Sequence, residues 1–160
     1  MAVRARALAN AVGLAALLGA CSYLDPGEGK PVVGCVETDS NPDAPVDFGL
    51  QIRPLMNRPN SDPTGRGCSG CHYRNLPVHS CYDSTGLDLS TLGALREGGV
   101  TTGTNIVIPG KPCESGLLQK LLGDYPVGIQ MPKGGAPWTA SQIQLVHDWI
   151  AEGASGSPDE

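Results

Sequence analysis

Hydrophobic positions along this chain fall into one uncharged block and three short amphipathic stretches, separated by long polar, glycine- and proline-rich intervals. The block runs from Ala7 to Leu18 without a charge, and Arg4 and Arg6 precede it. A positive start, an apolar run this short and small residues after it predict an export signal over 1–20. Over 46–57, Phe48, Ile52, Leu55 and Met56 recur at helical spacing, and Pro54 limits or kinks the helix they predict. A second helix is expected at about 112–122. Pro112 suits its first position, Leu117, Leu118, Leu121 and Leu122 form its apolar face, and Gly123 ends it. The third is the best marked. Thr139 and Gln142 form a capping box, Ile143, Val146 and Ile150 share a face beside Leu145 and Trp149, and Gly153 stops it. No strand period competes, so an all-α, loop-rich domain is expected over 46–154. Residues 21–45 read as a flexible tether of roughly 25–30 Å r.m.s. span, and 155–160 as a frayed acidic tail.

Composition sharpens this picture. The 160 residues include 22 glycines and 14 prolines but only one Phe, four Tyr and two Trp. A chain so poor in large side chains has difficulty closing a core, and a covalent or ligand filler is expected. The formal charge is −5, and loss of Arg4 and Arg6 with the signal makes it −7. That argues against nucleic acid as a partner. Six cysteines in an exported chain suggest disulfides, metal or redox chemistry.

Residues 68–72 read Cys68-Ser69-Gly70-Cys71-His72, which in an exported chain is a haem c attachment site. Two thiols separated by two small residues reach the two vinyl groups on one porphyrin edge, and the next residue presents its imidazole to the iron. One covalent haem c on Cys68 and Cys71, with His72 on the iron, would also fill the core that the composition leaves open. Two other readings use the same residues. A structural zinc site would need four ligands, which His79 and Cys81 could complete, and a dithiol redox pair would need a βαβ setting that the chain lacks. For the second iron position the candidates are Met131, Met56, His79 and His147. Met131 is favoured: it opens the loop Met131-Pro132-Lys133-Gly134-Gly135, far enough from His72 to reach the opposite face, and its thioether suits low-spin iron. Met56 reads as core, His79 lies too near His72, and His147 reads as solvated on the polar side of the last helix.

Leu18-Gly19-Ala20-Cys21 resembles the lipobox of bacterial lipoproteins. The resemblance implies cleavage before Cys21, its acylation, and an extracytoplasmic membrane anchor; Ser22 after it makes outer-membrane sorting the preference.

The stretches Phe48 to Leu55, Cys68 to His72, Gly86-Leu87-Asp88-Leu89, Val107-Ile108-Pro109-Gly110-Lys111-Pro112, Met131 to Gly135 and Asp148-Trp149-Ile150-Ala151-Glu152-Gly153-Ala154 together resemble small c-type cytochrome domains of planctomycete and myxobacterial type. The resemblance implies a class I-like cytochrome c fold, about three main helices around one covalent haem, with His72 and Met131 as axial ligands. Its one departure is the long loop 58–67. Of the cysteines left over, Cys81 and Cys113 lie inside the domain and are the expected disulfide, with Cys35 odd on the tether. Arg53, Arg74, Lys133 and Trp138 are candidate propionate partners.

The expected function is electron transfer, not catalysis, between extracytoplasmic redox partners with a basic docking face. The alternative is a peroxidase-like haem enzyme or a gas sensor with a labile distal ligand.

Overall fold

The computed structural model describes residues 34–59, 61–62, 67–77, 80–134 and 136–160. The signal, the lipidation site Cys21, most of the tether, His79 and Gly135 lie outside them. Among the described residues there are helices and no strands, so this part of the chain is all-α. Six α-helices follow in order: α1 (Arg53–Met56), α2 (Ser69–His72), α3 (Ser80–Thr85), α4 (Leu92–Glu97), α5 (Gly116–Leu122) and α6 (Ala140–Ala151).

The three expected helices are present with altered ends. The first begins as a π-helical turn, Phe48–Ile52, and becomes α1 where Pro54 enters; Asp47 caps it by accepting from the Leu50 amide at 2.8 Å. A proline lacks the amide that an interior helical position needs, which sets the change of winding here. The second splits into a 3-10 turn, Pro112–Glu114, and α5, because Ser115 is extended. Gly123 closes α5 at φ +86°, where a side chain would be strained. The third is α6 with both arms of its capping box made, Gln142 N to Thr139 Oγ1 at 3.3 Å and Thr139 N to Gln142 Oε1 at 2.9 Å. The short helices α2, α3 and α4 have too few residues to show a period.

The core gathers Phe48, Ile52 and Met56 from the first helix, Leu92 and Leu95 from α4, Leu118 from α5 and Val146, Trp149 and Ile150 from α6. Trp149 is its centre. It is fully buried, its ring lies 5.0 Å from that of Phe48, and its indole N–H donates to the Ser155 carbonyl at 2.8 Å.

Three expectations about the periphery are overturned. From residue 35 the supposed tether is a strap on α6. Cys35 is disulfide-bonded to Cys113, the His147 ring meets the Val36 carbonyl at 2.6 Å, and the Ser40 hydroxyl donates to Asp148 at 2.6 Å. The domain therefore starts near Cys35, not at residue 46. The Cys81–Cys113 disulfide is wrong as well. Cys113 pairs with Cys35, Cα to Cα 5.8 Å, and Cys81 is a free thiol. The tail is not frayed, since the Leu92 and Gly93 amides donate to the Glu160 and Pro158 carbonyls. Each error has one cause: polar segments without a period read as loose, although their hydrogen bonds fix them.

Candidate haem site

The Cys68–His72 stretch forms α2 and its N-cap. Cys68 stands at its N-cap, with its amide donating to the Met56 carbonyl at 2.8 Å, and the His72 amide closes the helical turn on the Cys68 carbonyl at 2.9 Å. Gly67, just before it, passes so close to Arg58 that a Cβ would clash with the Arg58 carbonyl. The Ser69 hydroxyl donates to that same carbonyl at 3.0 Å. The loop 58–67 is thus closed on itself at its base, and α2 starts from the end of the first helix.

His72 is buried, and Gly86-Leu87-Asp88-Leu89 clamps it. Its Nδ1 donates to the Leu87 carbonyl at 3.3 Å, and its own carbonyl accepts from the Leu89 amide at 2.9 Å. A carbonyl can only accept, so Nδ1 carries the proton and Nε2 is left with its lone pair. Burial lowers the His72 pKa, the Leu87 bond opposes this, and Lys120 lowers it further, so the net shift favours the neutral imidazole. Asp88 holds the clamp by accepting from the Ser90 amide at 2.9 Å, with Arg74 Nε 3.8 Å from its other oxygen.

Met131 joins the same place from the other end of the domain. Its amide donates to the Lys120 carbonyl at 2.9 Å, which ties its loop to α5. Cys68, Cys71, His72 and Met131 all line one cavity of about 520 Å³. Leu87, Leu89, Ile106, Leu117, Leu121 and Ile129 supply much of its wall. Burial pushes the Cys68 thiol up to about 12, with the neighbouring Cys71 adding to the rise. Burial also raises Cys71, as does Cys81 beside it, whereas the Lys133 ammonium lowers it.

The other candidates separate. Met56 is fully buried in the core and does not reach the cavity. His147 is not solvated. It is buried on the outer side of α6, between the Val36 carbonyl and Asp148 Oδ1 at 2.8 Å. Among the described residues the only set of three metal-ligating groups with close ligand atoms is Cys35, Cys113 and His147, of which the two thiols form the disulfide. No such set at α2 is found among the described residues, and His79, the fourth ligand of the zinc reading, lies outside them.

Of the propionate candidates, Lys133 lines the cavity; Trp138 is buried in the core, Arg53 is engaged with the Leu89 and Ser90 carbonyls, and Arg74 with Asp88. Sequence reasoning missed Lys120, which lines the cavity with its ammonium 4.9 Å from the centre of the Tyr125 ring. It sits on the helix whose leucines drew attention, one position before Leu121, and that adjacency is the signal that could have found it. Cys81, set beside the motif only in the zinc reading, also lines the cavity.

The chain matches no protein-family model, no curated protein and no solved structure.

Proposed function

We propose that this chain is a monohaem c-type cytochrome of class I-like fold that carries single electrons between extracytoplasmic proteins. The supporting observation is that Met131, distant in the chain, meets Cys68, Cys71 and His72 on one largely apolar cavity.

The donor set fits haem c. Cys68, at the N-cap of α2, and Cys71, within it, are free thiols and would form the two thioethers. His72 keeps Nε2 available because the Leu87 carbonyl occupies Nδ1, and that bond also fixes the ring's orientation. Met131 offers a soft thioether from a loop anchored on α5. When bound, haem iron supplies a one-electron couple, whose potential a thioether ligand raises relative to a second imidazole. If His72 and Met131 both held the iron, no open position would remain for substrate, which favours a carrier over a peroxidase-like enzyme or gas sensor. The apolar wall excludes water, and His72 and Met131 stay in place without moving a proton.

The acidic chain suits partners with a basic docking face. Cys21 would anchor it to a bacterial membrane by lipid, with the outer membrane preferred. No helix among the described residues is long and apolar enough to cross a membrane.

The test is covalent haem. The chain is produced in cells with a haem-attachment apparatus, denatured and extracted with acidic acetone. Haem is expected to remain on the polypeptide, one per chain. Haem that washes out, or that stays covalent in the Cys68→Ala, Cys71→Ala double variant, overturns the proposal.

A further inference from the structure

Besides the two attachment cysteines, a third thiol lines the cavity. Cys81, on α3, is free, like Cys68 and Cys71. The three are not equivalent in place. Cys68, at the N-cap of α2, packs its side chain against the hydrophobic core. Cys71 is one turn further on, on the same cavity wall as Cys81, its neighbour there. Cys81 is itself held: its carbonyl accepts from the Thr85 hydroxyl at 2.6 Å and from Ser84 at 3.1 Å, so α3 presents its thiol from a fixed turn. The stable disulfide is elsewhere, at Cys35 and Cys113, so neither of those residues competes for Cys81.

We propose that Cys71 and Cys81 form a reversible disulfide in the haem-free chain, and that this bond protects the attachment site until it is reduced. This role rests on the reading of Cys68 and Cys71 as the haem attachment pair. The oxidant is a disulfide. Cys71 and Cys81 each lose a proton and together two electrons as their S–S bond forms, and the oxidant's S–S bond breaks to give two thiols. A Cys71 sulfur in that bond cannot form a thioether. A dithiol reductant returns the two electrons and frees Cys71, while Cys81 becomes a bystander thiol once haem is attached. The pairing differs from a link within the attachment motif itself, because it leaves Cys68 unbonded.

The experiment uses the full chain made in cells without a haem-attachment apparatus. It is exposed to oxidised glutathione, its remaining thiols are alkylated, and it is digested without reduction for mass spectrometry. The expected products are linked Cys71 and Cys81 peptides and an alkylated Cys68. A Cys68–Cys71 link, or Cys81 recovered alkylated or carrying glutathione, overturns the proposal. In Cys81→Ser, Cys71 is expected to be recovered alkylated or linked to Cys68; the unaltered oxidation pattern of the parent chain would refute the pairing. In the haem-loaded protein, Cys81 is expected to be the free thiol that alkylates. Covalent haem in the loaded protein, together with no Cys71–Cys81 link in the oxidised haem-free chain, defeats this inference alone. Absence of covalent haem defeats the proposed function, and the protective role with it.

Discussion

Breaking the Cys35–Cys113 disulfide should cost this domain a large share of its stability margin. The bond closes a loop of sequence separation 78. In the chain-entropy treatment, a loop of that length takes about 15 cal/mol/K from the unfolded ensemble, or about 4.5 kcal/mol at 25 °C. The total stability of a domain this size is about 5–15 kcal/mol. The strap keeps other holds after the bond is gone, namely Val36 on His147, Glu37 on the Cys113 amide and Ser40 on Asp148. Each contributes about 1 kcal/mol net, so the folded state should survive with the strap in place. Cys35→Ala is the cleaner variant, since Cys35 is only partly buried whereas Cys113 is 2 % exposed and its removal leaves a void. Urea unfolding of Cys35→Ala, Cys81→Ala and the parent protein, all in the same haem state and followed by far-ultraviolet circular dichroism, reads the difference. Cys35→Ala should lose about 3–5 kcal/mol with little change in slope, and Cys81→Ala far less. Equal stability of Cys35→Ala and the parent would refute the pairing. A large loss in Cys81→Ala alone would restore the pairing of Cys81 with Cys113.

Met131→Ala should leave haem attached while the spectrum turns high-spin or water-ligated and the potential falls, because the thioether's support for the ferrous state is gone; an unchanged spectrum and potential would show that Met131 is not bound. Asp148 titrates below its ordinary value of 3.8: burial opposes this, but hydrogen bonds from Ser40, His147 and Gln144 outweigh it. A depressed folded pKa gives stability that is present above the unfolded value and lost as pH falls through the folded one. Acid unfolding below about pH 4 should therefore be shallower in Asp148→Asn, and an identical acid limb would remove Asp148 from the account. Thr139→Ala removes one arm of the α6 capping box and should cost about 1 kcal/mol in a thermal or urea titration.

What could be read in the sequence depended on the kind of physics carrying it. Helix α6 was legible because three local signals agree in one stretch: the Thr139–Gln142 box, the apolar face and Gly153 as the stop. The Cys68–His72 stretch stood out because its spacing is compressed into five residues, so no tertiary contact was needed to single it out as the proposed attachment motif. Met131 needed one more step, the recognition that a Pro- and Gly-rich loop can bring a side chain back across the domain, and it does line the cavity with His72. The strap and the tail were illegible for a different reason. Their order comes from single long-range bonds, such as Ser40 on Asp148 and Glu160 on Leu92, 108 and 68 residues apart, and no period along the chain records such a bond. The same holds for the disulfide. Cys35 lies in a stretch whose prolines and glycines suggest a free linker, yet the linker's polar atoms are the ones α6 needs. His147 is buried, and a buried imidazole on an outer helix face requires acceptors from another segment. The Val36 carbonyl is that acceptor, so the buried histidine and the ordered strap are one fact. A helix pattern that seemed to end in solvent at His147 and Asp148 was in truth half of an interface, whose other half lay more than a hundred residues upstream.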